Sequence, residues 1–496
     1  MELYFSLKPL AAVLVSLLAA PLILFSRRNP NLREAWTVLA SLGKFALVLS
    51  MLPEVLNGRH PEVILFDLSP GISLALRVDS LGMLFALSAS LLWIFTSLFS
   101  IGYMRSLSEH KQTRYFASFA ICLSSTVGIA FAANLLTLLV FYELLTVATY
   151  PLVIHKESAE AVAAGRKYLA YLLSGGVALL LAVAWTQIAT GASDFSPGGF
   201  LSASLGHKRL WLLFLLFLVG FGTKAALIPL HSWLPSAMIA PTPVSALLHA
   251  VAVVKAGVFG FARVIGFVFG VPLVEEIGAA SFLAVLAGAT ILVASLLAMA
   301  QDNLKLRLAY STVGHLSYII LGMVLLSPSA WIGGLYHIVA HASMKITLFF
   351  CAGAIYAKTR REHVSQLDGI GKQMPVTMGA FALASLGLAG VPPIGGFISK
   401  WYLAQGAVQS GEIVWLAVLL VSGLLNAGYF FPIISRAFFK DSDSFKRFAE
   451  APPLMVAATV FTALLSLLLG LFPNGIFHFH RLAFEAAISV MQGVGR

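Results

Sequence analysis

Fourteen stretches of roughly 20 apolar residues, the length that carries a helix across a hydrocarbon core, recur along this chain and leave little room for anything else. They fall at approximately 4–26, 34–52, 79–103, 114–132, 134–154, 166–190, 210–232, 243–270, 277–299, 304–326, 331–357, 376–407, 412–437 and 452–472. Of the 496 residues, 59% are hydrophobic and 11% charged, against roughly 25% charged in a soluble domain. Backbone groups in lipid must pair within their own segment, so runs of this kind specify helices. The expected fold class is an all-α polytopic membrane protein with about 14 transmembrane helices.

The formal charge of +11 bears on topology and does not indicate nucleic acid. Connections after odd-numbered spans carry nineteen Lys and Arg residues and those after even-numbered spans four, Arg59, Arg77, Lys208 and Arg209. Basic residues collect on the cytoplasmic side, so this alternation predicts an even number of spans, both termini extracytoplasmic, in the cell inner (cytoplasmic) membrane. The run Tyr4–Phe25 has no small-residue cleavage pattern and reads as the first span, not a signal peptide. Residues 473–496 mix His478, His480 and Arg481 with an apolar face and read as an interfacial tail.

Cys122 and Cys351 lie in apolar runs without a CxxC or Cys/His cluster, which argues against an iron–sulfur or zinc site built on cysteine. No glycine-rich phosphate loop follows a strand, so no nucleotide site, cofactor or redox or hydrolytic centre is legible. Between Pro53 and Arg77 the pieces EVILFDL and ISLALRV predict a small hairpin outside the membrane.

Two spans are interrupted. Pro229 breaks LIPLHSWLP in the seventh, and Pro392, Pro393, Gly395 and Gly396 break GLAGVPPIGGFISKW in the twelfth. They occupy matching places in two five-span halves, spans 4–8 and 9–13, and five crossings per half make the second inverted relative to the first. Paired broken helices point to an ion path at mid-membrane. The expected divisions are 1–113 (spans 1–3 with a loop), 114–270 (first half), 271–440 (second half) and 441–496 (last span and tail).

Charged and titratable residues inside the spans are expensive and mark the path. Glu143 stands alone in LLTLLVFYELLTVATYPLVI, and Lys224 is its natural counter-charge. Lys255 sits in the middle of the eighth span, six residues after His249, which reads either as part of the path or as a core histidine. In GLYHIVAHASMKITLFF, His337, His341 and Lys345 recur every four residues along one side of a helix, a stripe of about 12 Å at 1.5 Å rise per residue. A proton relay is favoured there over a metal site, because no third ligand is apparent and Lys345 would repel a cation. Lys400 follows the second break, Lys44 lies in the second span without an evident partner, and His231 and His315 are secondary candidates.

These residues sit in segments that resemble a known family. FYELLTVATYPLV, GTKAALIPLHSWLPSAM, APTPVSALLHA, NLKLRLAYSTVGHLSYI, HASMKITLFFCAGAI and GLAGVPPIGGFISKWYL are similar to the antiporter-like, proton-translocating membrane subunits of Mrp-type cation/proton antiporters, respiratory complex I and membrane-bound hydrogenases. The likeness covers roughly residues 70–440. It implies that Glu143 and Lys224 form a glutamate–lysine pair, that Lys255 is the central lysine, that His337, His341 and Lys345 connect the halves and that Lys400 is the lysine of the second broken helix. It further implies one member of a multisubunit membrane complex handling protons and Na+ or K+, of the Mrp D subunit type or its proton-pumping counterpart in a complex I-type or membrane-bound hydrogenase complex.

Overall fold

A computed structural model describes residues 2–69, 71–442, 444–445 and 447–492, with backbone alone at 249 and 492. Nearly all of it is helix. The first helices are α1 (Lys8–Phe25), α2 (Pro30–Leu56), α3 (Ser80–Ser106), α4 (Gln112–Ala130), α5 (Leu135–Val153), α6 (Ala159–Thr190) and α7 (His207–Lys224). Shorter pieces follow as α8 (Trp233–Ser236), α9 (Thr242–Ala246), α10 (Val253–Arg263) and α11 (Val271–Glu276). The second half of the chain forms α12 (Ala279–Ala300), α13 (Leu304–Val324), α14 (Pro328–Thr359), α15 (Ile370–Gln373), α16 (Pro375–Ala389), α17 (Gly395–Gln409), α18 (Ile413–Phe439), α19 (Pro453–Leu471) and α20 (Phe479–Gln492).

Each of the fourteen apolar windows contains helix. Among the described residues, nine helices are long and apolar enough to cross a membrane; the other windows hold helices that are broken or more polar. The starts are set by side chains that accept from the unsatisfied N–H groups of the first turn: Asn29 for α2, Asp79 for α3, Asn134 for α5, Ser158 for α6, Asn303 for α13 and Ser327 for α14. The expected hairpin is present as β2 (Arg59–Ser69) and β3 (Ile72–Arg77), paired antiparallel. A further strand, β1 (Glu2–Phe5), lies parallel on β2, so the first helix starts at Lys8 and not at residue 4.

The two halves repeat the same neighbour relations. In the first, α4 packs on α5, α5 on α6, α6 on α7 and α7 on α10. In the second, α12 packs on α13, α13 on α14, α14 on α16 and α17, and both of those on α18. Both expected breaks are real: residues 225–232 separate α7 from α8, and 390–394 separate α16 from α17. A third irregularity falls in the eighth span, where residues 247–251 are π-helical and Ala252 leaves helical geometry (φ −112°, ψ −80°) just before α10. The sequence treats this span as continuous, because neither Gly nor Pro marks a π-helical turn.

At the centre stands α14. Its most apolar 18-residue window is wholly enclosed by protein, whereas that of α18 is 28% buried. The helix bearing His337, His341 and Lys345 therefore faces other helices all round, which keeps ionisable groups off lipid. The C-terminal helix α20 differs from the expected interfacial tail: Leu482, Ala483, Ala487 and Val490 are buried as it packs on α3 and α14. Across the bundle, Asp79 caps α3 and pairs with Arg263 at the end of α10, joining the N-terminal helices to the first half.

Close approach of α10 to α7 depends on Gly257. A Cβ there would meet the Phe221 carbonyl oxygen at 2.8 Å and the Ala225 Cα at 2.9 Å. We expect Gly257→Ala to lower stability by about 1–3 kcal/mol, the usual range for overpacking, read as a lower melting temperature in detergent. Gly379→Ala, where a Cβ meets nothing within 4 Å, should leave it unchanged.

Candidate functional site: a buried lysine and histidine array

The π-helical turn ahead of α10 sets the position of Lys255, which is buried and lies with Nζ 2.9 Å from His341 Nδ1 on α14. One turn earlier on α14, His337 contacts two other helices. Its Nε2 is 3.1 Å from His315 Nδ1 on α13, and its Nδ1 is 2.7 Å from the Ser399 hydroxyl on α17. The imidazoles of His315 and His341 have centroids 5.3 Å apart, and the Nε2 of each has no hydrogen-bond partner. Ser399 immediately precedes Lys400, whose Nζ donates to the Leu388 and Ala389 carbonyls at 2.6 and 3.2 Å.

Proton positions follow from the acceptors. Ser399 donates to Gly396 O, so it accepts from His337 Nδ1–H. His337 Nε2 then accepts from His315 Nδ1–H, which leaves His315 Nε2 a lone pair. On the other side Lys255 donates to His341 Nδ1, which leaves His341 Nε2–H a donor. A free donor and a free acceptor thus lie on neighbouring rings, the one place between Lys255 and Ser399 where no direct hydrogen bond is made among the described residues. The whole series has one polarity.

Lys345 does not continue this line. It donates to Ser311 Oγ (2.8 Å) and Leu308 O (3.4 Å); Ser311 Oγ is 2.9 Å from the Tyr429 hydroxyl, Tyr429 donates to Asn426 Oδ1, and Asn426 Nδ2 reaches Leu388 O at 3.3 Å. This branch also ends beside Lys400, on the Leu388 carbonyl they share. It passes through a carboxamide, which holds its N–H protons too tightly to exchange them along a wire. The stripe of three thus divides, two histidines facing α10, α13 and α17 and the lysine facing α13 and α18.

In the first half, Lys224 is the last residue of α7, fully buried, with its ammonium donating to the Tyr142 carbonyl and lying 3.2 Å from the Tyr142 ring centroid. Glu143 is the next residue on α5, but no salt bridge joins it to Lys224 among the described residues. Its Oε1 is buried without a hydrogen-bond partner, and the carboxyl rests on Gly176 of α6, where an added Cβ would come within 2.7 Å of Cδ. The two groups are electrostatic neighbours without contact. No hydrogen bond links Lys224 to Lys255 among the described residues, although α7 and α10 are packed together. The His249 side chain lies outside the described residues. Lys44 is buried and donates to Leu123 O at 3.0 Å; His231, in the first break, is half-buried with Nδ1 unpartnered.

Read from the sequence, His315 holds only a secondary place, and Ser399, Ser311, Tyr429 and Asn426 go unnoticed. Each reaches the array across a helix–helix contact, which no spacing within one helix records. His315, in STVGHLSY, carried the only signal: a histidine deep in an apolar span.

A family model described as NADH:quinone oxidoreductase/Mrp antiporter, TM matches residues 132–426, which contain all of these side chains except Lys44 and Tyr429. NADH-quinone oxidoreductase subunit N of Desulforudis audaxviator is 38% identical over 347 residues, covering 68% of this chain and 67% of that protein. A probable K(+)/H(+) antiporter A/B subunit of Rhizobium meliloti is 32% identical over 415 residues, 81% of this chain. Hydrogenase-4 component B of Escherichia coli is 30% identical over 426 residues, 80% of this chain. This chain spans 40% and 62% of the length of the last two. Among solved structures, a chain of the Mrp complex from Dietzia sp. DQ12-45-1b superposes with a TM-score of 0.86 at 22% identity, and one of the archaeal membrane-bound sulfane sulfur reductase with 0.89 at 23%, each covering 99% of both chains. At those identities the structures establish the fold. The sequence match establishes more: the chain belongs to the NADH:quinone oxidoreductase/Mrp antiporter transmembrane family.

Proposed function

We propose that this chain moves protons across a membrane as the proton-translocating member of a multisubunit Mrp-type cation/proton antiporter, exchanging them for Na+ or K+. The observation that supports it most is the buried cluster in which Lys255 meets His341, and His315 and His337 lead to Ser399, the residue before Lys400. A proton arriving on Lys255 passes to His341 Nδ1 as His341 gives up the proton on Nε2. Through one water it reaches His315 Nε2, and His315 and His337 each release the proton on Nδ1 in turn. The hydrogen-bonded series ends at Ser399, whose hydroxyl donates to Gly396 O, one residue before Lys400 on α17.

Lys224 and Glu143 control entry to this route. Approach of Glu143 to Lys224 holds the lysine as a cation; separation releases that hold. At an effective dielectric of about 20, opposite charges at 4 Å attract by roughly 4 kcal/mol before desolvation, enough to decide whether Lys224 keeps its proton. The divisions 1–113, 114–270, 271–440 and 441–496 and the cytoplasmic-membrane placement with both termini extracytoplasmic belong to this reading. A second reading, a proton-pumping subunit of a redox complex, is favoured by the 38% identity to an NADH-quinone oxidoreductase subunit. Purifying the native complex separates them: small membrane subunits alone fit the antiporter, iron–sulfur or nickel subunits the redox pump.

Two sets of variants test the route, read as proton-coupled transport in vesicles holding the assembled complex. Lys255→Ala and His341→Ala should abolish transport, and Glu143→Ala or Lys224→Ala should cut it severely; full retention in the latter pair would sink the gating scheme. Ser399→Ala should slow transport by about tenfold or more, within the range for losing a positioned proton-transfer group. By contrast Asn426→Leu, on the carboxamide branch, should retain at least about half the rate, as expected for a group outside the transfer steps.

A further inference from the structure

On the face where α3 turns into α4 and α5 into α6, well outside the array above, three side chains converge. Glu109 and His110 come from the first turn and His155 from the second, and one ligand-type atom from each lies within 4.8 Å of the others. His155 is fully buried, yet neither ring nitrogen has a hydrogen-bond partner. Its polar neighbours include the Glu109 carboxylate, 3.9 Å from Nε2, and the His110 backbone. An imidazole buried with both nitrogens unsatisfied is unfavourable unless something supplies the missing bonds.

The surroundings select what that is. His155 is held in place by the Tyr115 ring, edge-on at 5.7 Å, and by the His110 ring at 4.9 Å. The nearby cations Lys111 and Arg114 are both bonded to Glu157, and Glu109 forms no salt bridge with Lys or Arg among the described residues, so its carboxylate is available. A water would satisfy His155 but would not account for a second imidazole and a carboxylate gathered at the same point.

We infer that Glu109, His110 and His155 bind a divalent transition-metal ion of the zinc class through two imidazoles and one carboxylate. Zinc takes such ligands at about 2.0–2.2 Å in tetrahedral geometry, which puts ligand atoms about 3.3 Å apart. The 3.9 Å separation of His155 Nε2 and Glu109 Oε2 closes to that with a small shift, and His110, exposed, and Glu109, half-buried, have the rotamer freedom to complete it around a fixed His155. The ion ties the α3–α4 turn to the end of α5, the helix that carries Glu143. Sequence reading names no metal ligand here, because His110 and His155 lie 45 positions apart in two different loops.

The test uses the full chain in detergent, purified without a polyhistidine tag, stripped with chelator and titrated with Zn2+ by calorimetry, with Co2+ as the spectroscopic probe. One equivalent should bind, and Co2+ should give the intense d–d bands of a tetrahedral site. His155→Ala and His110→Ala should each weaken binding by about 10–100-fold or more, since even an outer-shell partner is worth that much. His110 is exposed, so its variant reports on binding even if His155→Ala fails to fold. Absence of stoichiometric binding to the wild-type chain, or unchanged binding in His110→Ala, would overturn the assignment.

Discussion

Five lysines lie inside this bundle, and among the described residues not one is held by a carboxylate. Lys44 donates to Leu123 O, Lys224 to Tyr142 O, Lys345 to Ser311 and Leu308 O and Lys400 to Leu388 O and Ala389 O, while Lys255 meets His341. A carboxylate at contact would fix each as a permanent cation. A carbonyl, hydroxyl or imidazole satisfies an N–H group whether or not the lysine carries its extra proton, so these contacts leave both states accessible. The architecture follows from that choice: lysines left without counter-ions cannot face lipid, and the bundle wraps completely around α14 to shield them.

The scaffold was legible because lipid leaves few options. Apolar run length gave the helices, and Pro229 with Pro392 and Pro393 gave the two breaks, since proline removes a donor that nothing in lipid replaces. The charged positions were legible for the same reason: Glu143, Lys224, Lys255, His337, His341 and Lys345 stand out in their runs as expensive exceptions. What connects them was not legible. Four-residue spacing put His337, His341 and Lys345 on one side of α14, but a helix side is broad enough to touch several neighbours. Whether two titratable groups on it share a route depends on residues such as Ser399 and Ser311 from other helices.

The Glu143–Lys224 pair shows the same limit from the other direction. Complementary charge in the fifth and seventh spans made an ion pair the natural expectation, yet Lys224 bonds to the carbonyl of the residue before Glu143. An α5 carbonyl is available to an ammonium from any neighbouring helix that approaches closely, and one-dimensional charge matching has no means of counting it. A pair in contact would need the full Coulomb attraction to be broken before it could separate; these two groups are neighbours without contact.

The two breaks, alike in sequence position, hold their lysines differently, and the reason lies in the carbonyls each break exposes. A helix that stops short leaves its last C=O groups unpaired and its end negative. At the end of α16 the orphans are Leu388 O and Ala389 O, and Lys400, arriving from the far side of the break on α17, satisfies both. At the end of α7, Gly222 O accepts from Leu227 N, and Thr223 O from Ala226 N and the Trp233 indole at 2.8 Å. Lys224, on the near side of its break, reaches across to α5 instead. One lysine thus plugs its own broken helix and the other couples its broken helix to the glutamate-bearing one. The two breaks, alike in the proline that makes them, are therefore unequal in what their lysines hold.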